Sequence, residues 1–161
     1  MEGVILIESK EQVIRHYQHS IEKAIEWKLI TNKEWRTPIA RGKWTIAEVI
    51  GHFAPWDEFV RLKRIPYFLN GNPLPKSLDA EQTNRESALI SQKRSQEDII
   101  EEFINSRKKL LAAIEQMEDE QWEREFAFNQ KMLTPAAYFQ GLLEHDMHHF
   151  RQIDSIRNEE S

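Results

Sequence analysis

Six histidines, at positions 16, 19, 52, 145, 148 and 149, are the residues with the most chemistry to offer in this 161-residue chain. Three of them fall in the five-residue stretch His145-Asp146-Met147-His148-His149. On a helix, His145 and His149 share one face about 6 Å apart along the axis, close enough to hold one divalent cation through imidazole nitrogen. They continue the row Tyr138, Leu142, His145, His149, Gln152, Ile156, which runs beside an apolar stripe. Imidazoles on such a stripe need partners for their nitrogens, and a metal satisfies one nitrogen of each. His52 is the third candidate, because it lies beside the stripe of another predicted helix, near Val49 and Trp56. The Gly51 carbonyl, released by Pro55, is the expected outer acceptor near it. Zinc or nickel is the expected metal, with iron, manganese or cobalt as alternatives. His148 points about 100° away from His149 and is read as peripheral. His16 and His19 sit off the stripe of their own helix and are read as solvated.

Other chemistries find less support. His145-Asp146-x-x-His149 resembles the zinc-protease pattern His-Glu-x-x-His, but Asp is one methylene shorter and no substrate-edging strand is evident. Glu48 could be an outer carboxylate, yet it also stands where a capping box with Thr45 needs it. Trp56, one turn beyond His52, could wall a pocket or be plain core. The basic clusters Arg61, Lys63, Arg64 and Arg107, Lys108, Lys109 read as solvated faces. No serine sits in a Gly-x-Ser-x-Gly setting. The five glycines, at 3, 42, 51, 71 and 141, build no phosphate loop. With no Cys, a thiolate nucleophile, a disulfide or a Cys-type zinc site has no source in the chain.

The elements that must carry the histidines are helical. Apolar residues recur at three and four nearly throughout, and strand-type alternation is absent beyond the short run Gly3-Val4-Ile5-Leu6-Ile7. A first helix is predicted from Ser9, with Ser9 and Gln12 as a capping box, to about residue 31; Val13, Tyr17, Ile21, Ala24, Ile25 and Leu29 form its stripe. A second is predicted over 45–64, kinked at Pro55. Residues 70–78 form the longest loop. A third helix runs over 96–117, preceded by a weaker segment at 81–93. The fourth starts at Thr134-Pro135, an N-cap followed by proline. Four amphipathic helices specify an all-α four-helix bundle.

The whole chain, 1–161, is expected to be a single domain. It has 22 Lys+Arg against 27 Asp+Glu, a net charge of −5, which argues against a nucleic-acid or anionic-membrane surface. The run at 3–7 is too short for a signal core or a membrane span, so a cytoplasmic protein is expected.

Two stretches resemble one known family. Trp44-Thr45-Ile46-Ala47-Glu48-Val49-Ile50-Gly51-His52 is similar to the second-helix signature of the DinB-like (YfiT-like) superfamily. His145-Asp146-Met147-His148-His149-Phe150-Arg151-Gln152-Ile153 is similar to its C-terminal His-x-x-x-His signature with a following Gln-Ile. The resemblance implies up-down-down-up connectivity and a divalent metal held by three histidines, here His52, His145 and His149. It implies a homodimer acting on a small molecule. The activity implied is transfer of a low-molecular-weight thiol to an electrophile, or metal-dependent hydrolysis. The alternative is a non-catalytic metal- or ligand-binding stress-response protein. Arg151 departs from the usual glycine before Gln-Ile, either as a surface residue or as one that favours an anionic ligand.

Overall fold

A computed structural model describes residues 9–159; the apolar run at 3–7 lies outside the described residues. Helix α1, Lys10–Glu26, starts at the expected Ser9–Gln12 capping box. It ends in a 3-10 turn, Trp27–Leu29. The row buried along α1 is Val13, Tyr17, Ser20 and Ala24, which leaves Ile25 outside it, and the tighter turn shifts the phase beyond Glu26. Trp27 is fully buried, whereas Ile25 and Leu29, both expected in the stripe, are 53% and 78% exposed.

The second predicted helix is two pieces. Helix α2, Asn32–Trp35, precedes them as a short turn. Helix α3, Ile46–Gly51, opens on the Thr45–Glu48 capping box. The helix then breaks at His52 and resumes as α4, Phe53–Lys63. Pro55 causes the break. Its missing N–H leaves the helix ladder open, and proline is tolerated only in a first turn, where α4 places it. A further helix, α5, Ile65–Asn70, continues past the expected end, with Pro66 in its first turn. Gly71, at φ 76°, closes it in the left-handed region.

Helix α6, Ala80–Lys93, is separate from α7, Gln96–Glu115, which Ser95 caps. Helix α8, Asp119–Trp122, leads into a hairpin that the sequence reading did not anticipate. Strands β1, Phe126–Phe128, and β2, Lys131–Leu133, pair antiparallel, with Phe126 opposite Leu133. Three residues are too few to display alternation. Asn129 and Gln130 turn the corner with φ 48° and 67°. Helix α9, Pro135–Glu159, follows, with the Thr134 hydroxyl accepting from the Ala137 N–H at 3.1 Å.

Cross-helix contacts give the direction of each bundle helix. Lys10 of α1 reaches the carbonyls of Glu115 and Met117, while Gln96 reaches those of Trp27 and Ile30, so α1 and α7 are antiparallel. His16 meets Asp146 and Lys23 meets Asp154, so α1 and α9 are parallel. Asp57 meets Arg107, and Val60 and Ile65 share a cluster with Leu110 and Ile114, so α4 and α7 are parallel. The order is up-down-down-up. Two consecutive parallel helices need a long return, and α6 supplies it. Helix α6 lies antiparallel to α3 and α4, with Ser91 against Gly51 and Asn84 bonded to Trp56. Gly51 permits this approach, since a methyl there would overlap Ser91 Oγ. The apolar core falls into two clusters, one around Trp27, Trp35, Phe53, Phe103 and Phe150, the other around Tyr17, Phe68, Trp122 and Phe139. No helix among the described residues is long and apolar enough to cross a membrane.

Candidate metal centre

The break before α4 turns His52 inward, where it is 2% exposed. Its Nδ1 bonds the carbonyl of Val49, one turn back. The outer acceptor is thus Val49, not the expected Gly51. A carbonyl accepts only, so Nδ1 carries the proton and Nε2 is left with its lone pair. On α9 the Nδ1 of His149 lies 2.8 Å from Gln152 Oε1, which fixes the same tautomer. The Nε2 atoms of His145 and His149 are 3.2 Å apart. One ring nitrogen from each of His52, His145 and His149 lies within 4.8 Å of the others.

This donor set fits a divalent cation. Two ligands at zinc distance stand about 3.4 Å apart in tetrahedral geometry, close to the His145–His149 spacing. Two of the rings have the outer partner that metal-bound imidazoles use. Burial lowers the pKa of all three, that of His52 to about 3, so they are neutral and hold free lone pairs at neutral pH. Phe53 packs edge-on to His145 and His149, and Trp44 lies against His52.

The remaining histidines divide. His19 is exposed beside Glu22, as expected. His148 is exposed and peripheral. His16 corrects the expectation of a solvated residue: its Nε2 is 2.7 Å from Asp146 Oδ2 and its side chain is 12% exposed. Arg107, also expected in solvent, is 1% exposed. Its Nη1 and Nη2 donate to Asp146 at 2.5 and 2.9 Å, and its Nε donates to Asp57 at 2.8 Å. One residue from each bundle helix, His16, Asp57, Arg107 and Asp146, therefore meets in a buried ionic cluster. Burial pushes Asp146 up, but Arg107 and then His16 outweigh it and hold the carboxyl well below the usual range. Asp146 is thus committed to its partners and poorly suited to act as a base. Burial dominates at Asp57 and raises it to about 6, despite Arg107. Arg107 occupies stripe spacing, four after Phe103 and three before Leu110, which is the signal that could have found it.

Glu48 is the capping partner of Thr45 and also accepts from Gln92. Trp56 does wall a cavity. This space, about 500 Å³, is bounded by Trp56, Phe59, Val60, Phe128, Tyr138 and Leu142, with His52 and His145 in its wall. The unexpected hairpin thus supplies Phe128 to the lining. Arg151 is exposed on a different groove, between α1 and α9.

Residues 15–153 match the DinB superfamily. The chain belongs to that family. Its fold is similar to that of YfiT from Bacillus subtilis, described as a probable metal-dependent hydrolase with an unusual four-helix bundle topology. The two share 18% identity at a TM-score of 0.79, over 99% of this chain and 91% of that one. A mycothiol-dependent maleylpyruvate isomerase matches at 14% identity and a TM-score of 0.64, over 91% of this chain. This chain spans 58% of the isomerase's length. No curated protein matches the sequence.

Proposed function

We propose that this DinB-superfamily chain is a metal-dependent enzyme in which His52, His145 and His149 hold one divalent cation, zinc or nickel first, beside the 500 Å³ cavity. The observation that carries this is the convergence of three neutral imidazole nitrogens within 4.8 Å at the wall of an apolar space. A cation bound there would act as a Lewis acid and lower the pKa of a thiol or water ligand. Three protein ligands are also what catalytic sites use, since they leave a position for a reactant.

The chain's own residues have separable tasks. Val49 and Gln152 orient the rings of His52 and His149. Trp56, Phe59 and Leu142 exclude water from the space a small molecule would enter. Asp146 braces α9 through Arg107 rather than accepting a proton. The lack of a free carboxylate base on the His motif favours the nucleophile that needs least help. A thiol, with a pKa of about 8.5, is far easier to deprotonate than water, at about 15.7. The reading is therefore transfer of a low-molecular-weight thiol to a small electrophile, with hydrolysis second. The thiol dependence named for the isomerase and the hydrolase description of YfiT are in line with these two chemistries. One domain over 1–161, acting as a cytoplasmic homodimer, completes the reading; light scattering checks the dimer.

The test is metal content by elemental mass spectrometry on protein purified without a His-tag or chelator. About one ion per chain is expected in the wild type and none in His52→Ala, His145→Ala or His149→Ala. Thiol-plus-electrophile and ester panels follow on the loaded protein. Full metal retention in the variants would overturn the ligand assignment.

A further inference from the structure

Arg64 has no task in the site described above, and its environment is unusual. It is 2% exposed, yet among the described residues no carboxylate pairs with it. Its Nη1 donates to the carbonyls of Lys63 and Pro75, and its Nη2 donates to Ser77 Oγ at 2.8 Å. Its Nε is buried with no acceptor among the described residues. The rings of Phe59 and Phe128 lie 4.6 and 5.8 Å from the guanidinium carbon. A buried cation without a counter-ion is costly, and an orphaned N–H adds to that cost. Arg64 lines the cavity that His52 and His145 also line, together with Ser77, Leu78 and Tyr138. It also lines the adjoining space under residues 73–79. Arg107, the other cation of the cavity wall, is already neutralised by Asp57 and Asp146.

We propose that Arg64 is the carboxylate receptor of this cavity, so that the small molecule bound there carries one carboxylate at the end away from the histidines. Nε–H and the neighbouring Nη N–H form the parallel pair that a carboxylate accepts bidentately, with the Ser77 hydroxyl giving up its present bond. A single cation unpaired among the described lining residues matches a monoanion. The hydroxyl-bearing Tyr138 beside Arg64 stands two turns before His145 on α9. Two turns put Tyr138 about 10 Å along α9 from His145. The apolar wall between them fits a hydrocarbon or aromatic body. As a statement about substrate, this rests on the metal-dependent reading of the same cavity.

The test compares 4-phenylbutyrate with the uncharged 4-phenyl-1-butanol by isothermal titration calorimetry. The acid is expected to bind on the order of ten-fold tighter than the alcohol to the wild type. The same preference is expected in metal-free His52→Ala. Arg64→Gln should bring acid and alcohol to parity, and Arg64→Lys should keep part of the difference. Ser77→Ala, which frees the guanidinium from the loop, should leave acid binding equal or tighter; a mere loop-pinning role for Arg64 would instead weaken it. Parity or no binding in the wild type overturns the proposal, as does an undiminished preference in Arg64→Gln. Loss of the preference in His52→Ala assigns the carboxylate to the cation and also overturns it. Elemental analysis of the same samples decides the metal reading separately.

Discussion

His149 can offer Nε2 to a cation because Gln152 engages its Nδ1, and the same holds for His52 through the Val49 carbonyl. The backbone partner of His52 cannot be deleted, but the side-chain partner of His149 can. Gln152→Ala is expected to lower metal affinity about 10- to 100-fold while the protein stays folded, read by competition with a chromophoric chelator. The buried imidazoles also set a pH dependence for the metal-free protein. His52 has a folded pKa of about 3, against an unfolded value of about 6.5. Between these values the unfolded chain binds the extra proton, so stability falls as pH falls. His145 and His149 are lowered as well and act in the same direction. Asp57, raised to about 6, takes its proton in the folded state and offsets one imidazole between about pH 6 and 4. Urea unfolding in chelator is therefore expected to show lower stability at pH 5 than at pH 7. His52→Asn should shallow that slope by up to about 1.4 kcal/mol per pH unit. At this scale the closeness of His145 and His149 was legible from their spacing of four. The roles of His16 and Arg107 were not, because burial of a charge depends on which partners other helices bring.

Among the elements, the break between α3 and α4 does the most for the site. Pro55 made an interruption legible in sequence, and the structure places it at His52, so that this candidate ligand sits at the joint. Gly51, just before the joint, allows α6 to lie close. Gly51→Ala is expected to destabilise by about 1–3 kcal/mol in urea melts, since overpacking shifts α6 away from α3. The metal content per folded chain should change far less than in His52→Ala. The capping boxes at Ser9 and Thr45 and the Thr134-Pro135 start were readable because each depends on neighbours in sequence. The hairpin was not, since its short strands are held by the packing of Phe126 on Phe68 and Tyr138.

For the whole molecule, α7 holds the bundle by packing on both α1 and α4, while α9 rests chiefly on α1. The cavity lies between α4 and α9, with His52 and His145 in its wall, and the rings of His145 and His149 meet His52 edge to face beside it. A cation held by His52 on one side and His145 and His149 on the other would tie the two helices together. Zinc added to the metal-free protein is expected to stabilise it by about 4 kcal/mol at a thousand-fold excess over Kd, seen as a rise in Tm. His52→Ala should remove that rise. The sequence by itself determined the helical class, most helix starts, the loop before α6 and the pair His145–His149, because periodicity, caps and i,i+4 spacing act over a few residues. Only the tertiary structure decided that α6 returns the chain, that His52 meets the pair, that the ionic cluster joins four helices and that Arg64 is buried with no carboxylate partner among the described residues. Each of these sets side by side residues tens of positions apart, and their energies depend on burial and on partners that local sequence does not carry.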